Sequence, residues 1–167
     1  SEGLDRVAIH DGARPALTNT LFDRLVLASK VFDAVAPAIR ISGTIKKTNK
    51  TPERVGDEDA IADSILGTSS QTKVDAYEVK ETIDRTDVWE IQTPQMFCPS
   101  LILNAYCKLG DSNCTDDSEV LEKQGQPVFL IEGESRNIKV TTPSDFNLIK
   151  AILGVRGEKE RQAHKRF

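Results

Sequence analysis

What the chain has little of narrows its class first. It carries three cysteines, Cys98, Cys107 and Cys114, an odd number without the CxxC spacing of a zinc or redox site. The simplest reading is a reduced compartment in which all three are structural or incidental. No apolar run approaches the length of a membrane span. Basic residues are not in excess: 22 Lys and Arg stand against 26 Asp and Glu, a net charge of −4. That balance leaves no general footprint for nucleic acid, so any phosphate ligand must be held by a few local cations. There is no internal repeat. No signal or transit pattern stands ahead of Leu4 to Ile9, which already reads as a strand in mid-fold. A segment upstream is therefore expected to be missing, and the location expected is cytosolic (cytoplasmic) or stromal in character.

What is present is ordinary for a folded domain. Hydrophobic residues at 38% and charged residues at 29% of 167 positions fit one domain that buries a core without disulfide or metal staples. Strand-like Leu4 to Ile9 runs into the polar turn His10-Asp11-Gly12-Ala13-Arg14-Pro15, as a buried parallel strand does at a functional carboxyl edge. From Thr18 to Lys30, Leu21, Leu25 and Leu27-Ala28 recur at helical spacing, with Thr18 or Asn19 as the N-cap. Ala34 to Ile39 is a second strand, and its Pro37 predicts an irregular or edge position. The alternation predicts an α/β sheet.

Between Lys46 and Asp75 polar residues dominate, which predicts an arm leaving the core with a mobile or short helical tip. On its far side Tyr77, Val79 and Ile83 alternate with Glu78, Lys80 and Thr82, Glu81 being the exception. That pattern predicts an antiparallel return strand paired with Gly43 to Lys47. Further on, helices are predicted over Pro99 to Leu109, from the Thr115-Asp116-Asp117-Ser118 opening to Gly125, and after the Thr142-Pro143-Ser144-Asp145 cap with Phe146, Leu148, Ile149 and Ile152. Val128 to Ile131 reads as a strand, and residues 156–167 as a charged tail that frays.

Several residues have chemistry to offer. The turn from His10 to Pro15 can hold a metal through Asp11 while Arg14 addresses a phosphate with its planar fork; it is equally read as a turn closed by an Asp11–Arg14 ion pair. Lys139 stands just before a helix N-terminus, where free amides and the dipole attract anions, or is simply an exposed lysine beside a capped helix. Arg85 alone reads as a solvated arm residue. Thr93-Pro94-Gln95 is a polar ligand contact or only a rigid bend.

The order of these segments carries more than any one of them. IHDGARP (Ile9 to Pro15), GTIK (Gly43 to Lys46), Asp84-Arg85, WEIQTPQMF (Trp89 to Phe97), TDD (Thr115 to Asp117) and the run to Asp145 ending NIKVTTPSD resemble the 2-C-methyl-D-erythritol 4-phosphate cytidylyltransferase family, in that family's order. The resemblance implies a doubly wound nucleotidyltransferase-type sheet, here incomplete, over residues 1–155, with an arm over about 43–87 that embraces the partner in a homodimer. It implies transfer of a cytidylyl group from CTP to 2-C-methyl-D-erythritol 4-phosphate with Mg²⁺, releasing pyrophosphate. By position it assigns Asp11 to the metal and substrate, Gly12 to the cofactor side, and Arg14, Thr93, Thr115 and Thr141 to the substrate. Lys139 and Arg85 become the catalytic cations, with Thr44 and Arg85 reaching the neighbouring subunit's substrate. The family's Gly-rich loop, whose Arg and Lys hold the triphosphate, is absent from this sequence. A ribitol 5-phosphate cytidylyltransferase and a non-catalytic dimerisation module are the rival readings.

Overall fold

The computed structural model describes residues 5–55, 74–110 and 113–155. They fall into two compact units, one formed by residues up to Ile39 together with those from Glu90 onward, the other by Arg40–Trp89. The predicted tip of the arm and the charged tail lie outside the described residues.

The first unit is built on a mixed sheet. β1 (Val7–Ile9) pairs antiparallel with β8 (Gln95–Phe97), and β8 pairs antiparallel with the start of β2 (Ala34–Arg40). Val35 lies opposite Met96 on one neighbour and Phe129 on the other, so β8 and the parallel strand β9 (Phe129–Glu132) flank β2. Among the described residues the neighbour of β1 is antiparallel: the segment after the arm returns beside it as β8. β7 (Trp89–Ile91) joins the same sheet on β2.

Of the two positions predicted for Pro37, irregular or edge, the structure shows the first: it sits inside the sheet, beside a break in the neighbouring strand. Its carbonyl accepts Gln92 N at 2.7 Å, while the next residue, Ala38, turns its carbonyl to the other side and accepts Gly133 N at 2.8 Å. Pro37 therefore faces the break between β7 and β8, at Gln92-Thr93-Pro94, where the ladder asks no donor of it.

Side chains of β2 and β8 alternate between two cores. Ala34 and Phe97 face Ile102 and Ala105 of α2 (Pro99–Leu109) and Val120 and Leu121 of α3 (Asp117–Glu122). Val35 and Met96 face Leu21 and Leu25 of α1 (Asn19–Ser29). Helices on both faces explain why β2 is apolar from Ala34 to Ile39. Thr18 caps α1, its hydroxyl accepting Leu21 N at 3.0 Å. Leu27, grouped by the sequence pattern with the buried face, is 65% exposed, because 21, 25 and 28 share one stripe and 27 lies off it. Likewise, of the apolar residues in α4 (Pro143–Ile152) only Ile149 is buried, and Phe146 and Leu148 stay half exposed.

In the second unit β3 (Ile45–Thr48) and β6 (Val79–Ile83) form the antiparallel pair read from the sequence, with Ile45 opposite Ile83. β6 uses Lys80 as an extra residue, because Lys47 faces Glu81 and Thr48 faces Val79. This bulge reverses the alternation, so Glu81 rather than Val79 shares the face of Ile83, and Lys47 Nζ meets Glu81 Oε1 at 2.9 Å. A second short pair, β4 (Glu53–Val55) with β5 (Val74–Ala76), lies along the segment read as an arm leaving the core. Arg40 lies over the Trp89 ring at 4.2 Å.

Candidate functional site

The turn that follows β1 is held from within. Arg14 N donates to Asp11 O at 2.9 Å and Ala13 N to Asp11 Oδ1 at 3.0 Å, an Asx-type closure. Asp11 N reaches across to Thr93 Oγ1 at 2.9 Å. With one carboxylate oxygen spent on the turn, the other, Oδ2, meets Lys139 Nζ at 2.7 Å. The Lys139 ammonium and then the Ala13 amide hold the Asp11 carboxyl below its ordinary range, so it is ionised at neutral pH.

Lys139 is brought there by its neighbours. Asn137 is fully buried and donates through Nδ2 to Thr93 O at 2.9 Å. Its carbonyl accepts Arg14 Nη1 at 2.8 Å and Gln92 Nε2 at 3.3 Å. Val140 N then donates to Ala13 O at 2.8 Å, joining the segment around Lys139 to the Asp11 turn through the main chain.

Arg14 is only 6% exposed and turns Nη2 to Ile91 O at 3.3 Å. Burial lowers its pKa, with Glu90 and Asp11 opposing. Much of its fork is thus engaged with carbonyls at the floor of the site. His10 Nε2 faces the Arg14 carbonyl at 3.1 Å, and a carbonyl can only accept, so the proton sits on Nε2. In neutral His10 the Nδ1 atom then accepts the Thr93 hydroxyl, 3.0 Å away.

Thr115 precedes α3, whose N-cap Asp116 accepts Glu119 N at 2.9 Å. Buried Gln95 ties that cap to β8, donating Nε2 to Asp116 Oδ2 at 2.8 Å and accepting Ser118 N at 2.9 Å. Together these elements enclose a cleft of about 460 Å³, lined among others by Asp11, Arg14, Thr93, Gln95, Thr115 and Lys139. A somewhat larger groove of about 550 Å³ beside Phe22, Val26 and Arg6 gathers no comparable chemistry, since Arg6 is tied to Ser29 O at 2.7 Å.

The structure thus gathers Asp11, Arg14, Thr93, Thr115 and Lys139 around one cleft. Gly12 and Thr141 are not among its lining residues. The residues ahead of α4 are tied back to its first turn: Thr141 N and Thr142 N donate to Asp145 Oδ2 at 3.0 and 2.8 Å, and the Thr141 hydroxyl joins them at 3.0 Å. Thr142 completes a capping box with Asp145, whose carboxyl these donors pull down to about 2. Thr44 and Arg85 belong to the second unit, flanking the Ile45–Ile83 end of its ladder. Among the described residues no group of three His, Cys, Asp or Glu side chains is placed to hold a metal. A hard cation at Asp11 would share the carboxylate with Lys139 and Ala13 N and would take its other ligands from water and substrate phosphates, a donor set that suits Mg²⁺.

Comparison with known proteins gives the same family in each case. The 2-C-methyl-D-erythritol 4-phosphate cytidylyltransferase (IspD) family model matches residues 58–155. The enzyme of that name from Geobacillus kaustophilus is 38% identical over 156 residues, 92% of this chain and 57% of the relative. The one from Alkaliphilus oremlandii is 34% identical over 95% of the chain and 57% of its own length. Among solved structures, the cytidylyltransferase from Thermus thermophilus superposes with a TM-score of 0.70 at 27% identity, covering 92% of this chain and 64% of that one. The 4-diphosphocytidyl-2C-methyl-D-erythritol synthase from Anaerococcus prevotii gives 0.67 at 29%, covering 92% and 59%. The chain therefore spans 57% of the length of these two curated relatives.

Proposed function

The chain belongs to the 2-C-methyl-D-erythritol 4-phosphate cytidylyltransferase family, and on that premise we propose that the protein transfers a cytidylyl group from CTP to 2-C-methyl-D-erythritol 4-phosphate. The observation that carries the reading is the Asp11–Lys139 pair, 2.7 Å apart beside a cleft that also holds Thr93 and Thr115. A phosphate oxygen of the sugar-alcohol phosphate attacks the α-phosphorus of CTP in line. The new P–O bond forms as the bond to the bridging oxygen breaks, and pyrophosphate leaves with its electron pair.

The chemistry needs no general base, because a phosphate monoester, with its second pKa near 6, is already largely dianionic at neutral pH. The residues present agree. His10 is engaged by Thr93 and the Arg14 carbonyl, and the free side of the cleft offers a cation, Lys139, to the developing charge. Asp11 would hold Mg²⁺ together with the substrate phosphates, and the ion would neutralise their charge. Thr115 would receive the alcohol. The finer reading includes a homodimer in which Thr44 and Arg85, on the arm, complete the partner's site.

The test is pyrophosphate release by the protein of family length with CTP and Mg²⁺. Release that depends on methylerythritol phosphate, at a kcat/KM far above that with ribitol 5-phosphate, is expected. The reverse preference would transfer the assignment to the ribitol enzymes.

A further inference from the structure

Thr115 offers the cleft a hydroxyl whose hydrogen is already committed. Its backbone N–H and its Oγ1 both bond Glu119 Oε2, at 2.6 and 2.8 Å. The other Glu119 oxygen, Oε1, is held by Lys123 Nζ at 3.1 Å, and Lys123 also donates to Asn113 O. Glu119 thus closes a loop over residues 113–115 that the adjoining cap does not require, since Asp116 caps α3 by itself. An ionised carboxylate can only accept, so the Thr115 hydroxyl must be the donor. Donors from Thr115 and Lys123 hold the Glu119 carboxyl at about 2, which keeps it ionised through the neutral range.

The consequence concerns what Thr115 can recognise. With its proton turned to Glu119, Thr115 Oγ1 has only lone pairs left for a ligand. A ligand hydroxyl can donate to them. A phosphate oxygen cannot, and it would also meet the Glu119 charge behind the threonine. Lys139, elsewhere on the same cleft, has the opposite preference. We propose that Glu119 is a positioning and specificity residue that fixes Thr115 as a hydrogen-bond acceptor, so that the cleft takes the hydroxyl-bearing end of a sugar-alcohol phosphate at Thr115 and its phosphate toward Lys139. This rests on the cytidylyl-transfer reading above and adds to it the residue that fixes how Thr115 meets the alcohol.

The experiment uses the protein of family length with CTP, Mg²⁺ and methylerythritol phosphate. Glu119→Ala frees the Thr115 hydroxyl, and the KM for the sugar-alcohol phosphate rises roughly three- to tenfold, the range of one neutral hydrogen bond. The kcat and the KM for CTP stay within about twofold. Glu119→Gln, whose amide oxygen still accepts both Thr115 bonds, recovers most of the loss. In a Thr115→Val background Glu119→Ala adds less than about a further twofold, because nothing remains to orient. A purely structural role predicts instead the same loss in both backgrounds, and that result overturns the proposal.

Ligand analogues decide the matter on wild-type protein even if a variant fails to fold. Replacing the contacting hydroxyl by fluorine, which cannot donate, costs as much as replacing it by hydrogen. If, at every hydroxyl of the substrate, the fluoro analogue is used as well as the parent, Thr115 is the donor and the proposal falls. Absence of transfer to any sugar-alcohol phosphate by the wild type would instead overturn the functional reading itself, and this inference with it.

Discussion

Lys139 Nζ lies 2.7 Å from Asp11 Oδ2, and the two segments that bear them are joined independently of that ion pair, by Val140 N to Ala13 O at 2.8 Å and by Arg14 Nη1 to Asn137 O at 2.8 Å. The ion pair is therefore not what places the charges. Lys139 is half exposed, and an exposed pair contributes only about 0 to 1 kcal/mol to folding.

Lys139→Ala should separate stability from activity. In the protein of family length it should remove about 2 to 4 kcal/mol of transition-state stabilisation, a loss of roughly 30- to 1000-fold in kcat/KM, while the melting temperature moves by only a few degrees. A large thermal destabilisation with near-normal kinetics would show that Lys139 is an architectural residue.

The proposed dimer makes a prediction about mixing. If Arg85 serves the partner's site and Lys139 its own, Arg85→Ala and Lys139→Ala homodimers are each inactive, but a heterodimer of the two holds one site with both cations and one with neither. Co-expression should return part of the activity. A mixed dimer that forms and stays as inactive as its parents rules out the cross-subunit role of Arg85.

Gly133 should resist replacement. A Cβ there would come within 2.4 Å of Gln92 Oε1 and 3.2 Å of Ala38 C and O. Gln92 cannot readily swing away, because it accepts Glu134 N at 3.1 Å and donates to Glu134 O at 2.9 Å from a buried position. Gly133→Ala is expected to cost about 1 to 3 kcal/mol, read by urea denaturation as a lower midpoint at unchanged slope. An unchanged midpoint would mean the contact relaxes freely.

Stability should fall at both extremes of pH for identifiable reasons. Asp145 is lowered from 3.8 to about 2 by the Thr141 and Thr142 donors, so its contribution is present above about pH 4 and lost as pH falls toward 2. Tyr106, raised from 10.0 to about 12 chiefly by its hydrogen bond to Asp117, contributes fully below about pH 10 and loses that contribution as pH climbs to 12. Denaturation curves for Asp145→Asn should flatten the acid limb, and those for Tyr106→Phe the alkaline limb. Unaltered limbs would place the titration elsewhere.

What the sequence made legible were features signalled within a few residues of themselves. Pro at N1 gave α2 its start, and the Thr142–Asp145 spacing gave the capping box of α4. The antiparallel run of β3 with β6 could be read because its alternation is short-range, but the Lys80 bulge could not, since it exists only against a partner strand. Pro37 could be read only as irregular or edge for the same reason: which of the two holds depends on a gap between β7 and β8 that lies far along the chain. In the cleft, family order picked out Asp11, Thr93, Thr115 and Lys139, which fold to one place. Nothing local announced that Asn137 would be buried under Arg14 and Gln92, or that Glu119 would turn back on Thr115. Their sequence signal is no more than a polar residue of ordinary type beside a motif.

Because a main-chain bond from Val140 N to Ala13 O and the buried Arg14 guanidinium on the Asn137 carbonyl hold the Asp11 turn against the Asn137–Val140 segment, the distance between the cleft's charges is set beneath the residues that carry them. Side chains on such a frame can be exchanged without moving the points from which they project. The chemistry displayed at positions 11 and 139 is consequently free to diverge while the scaffold stays put, which makes this pair of loops a natural place to rewrite substrate preference by substitution alone.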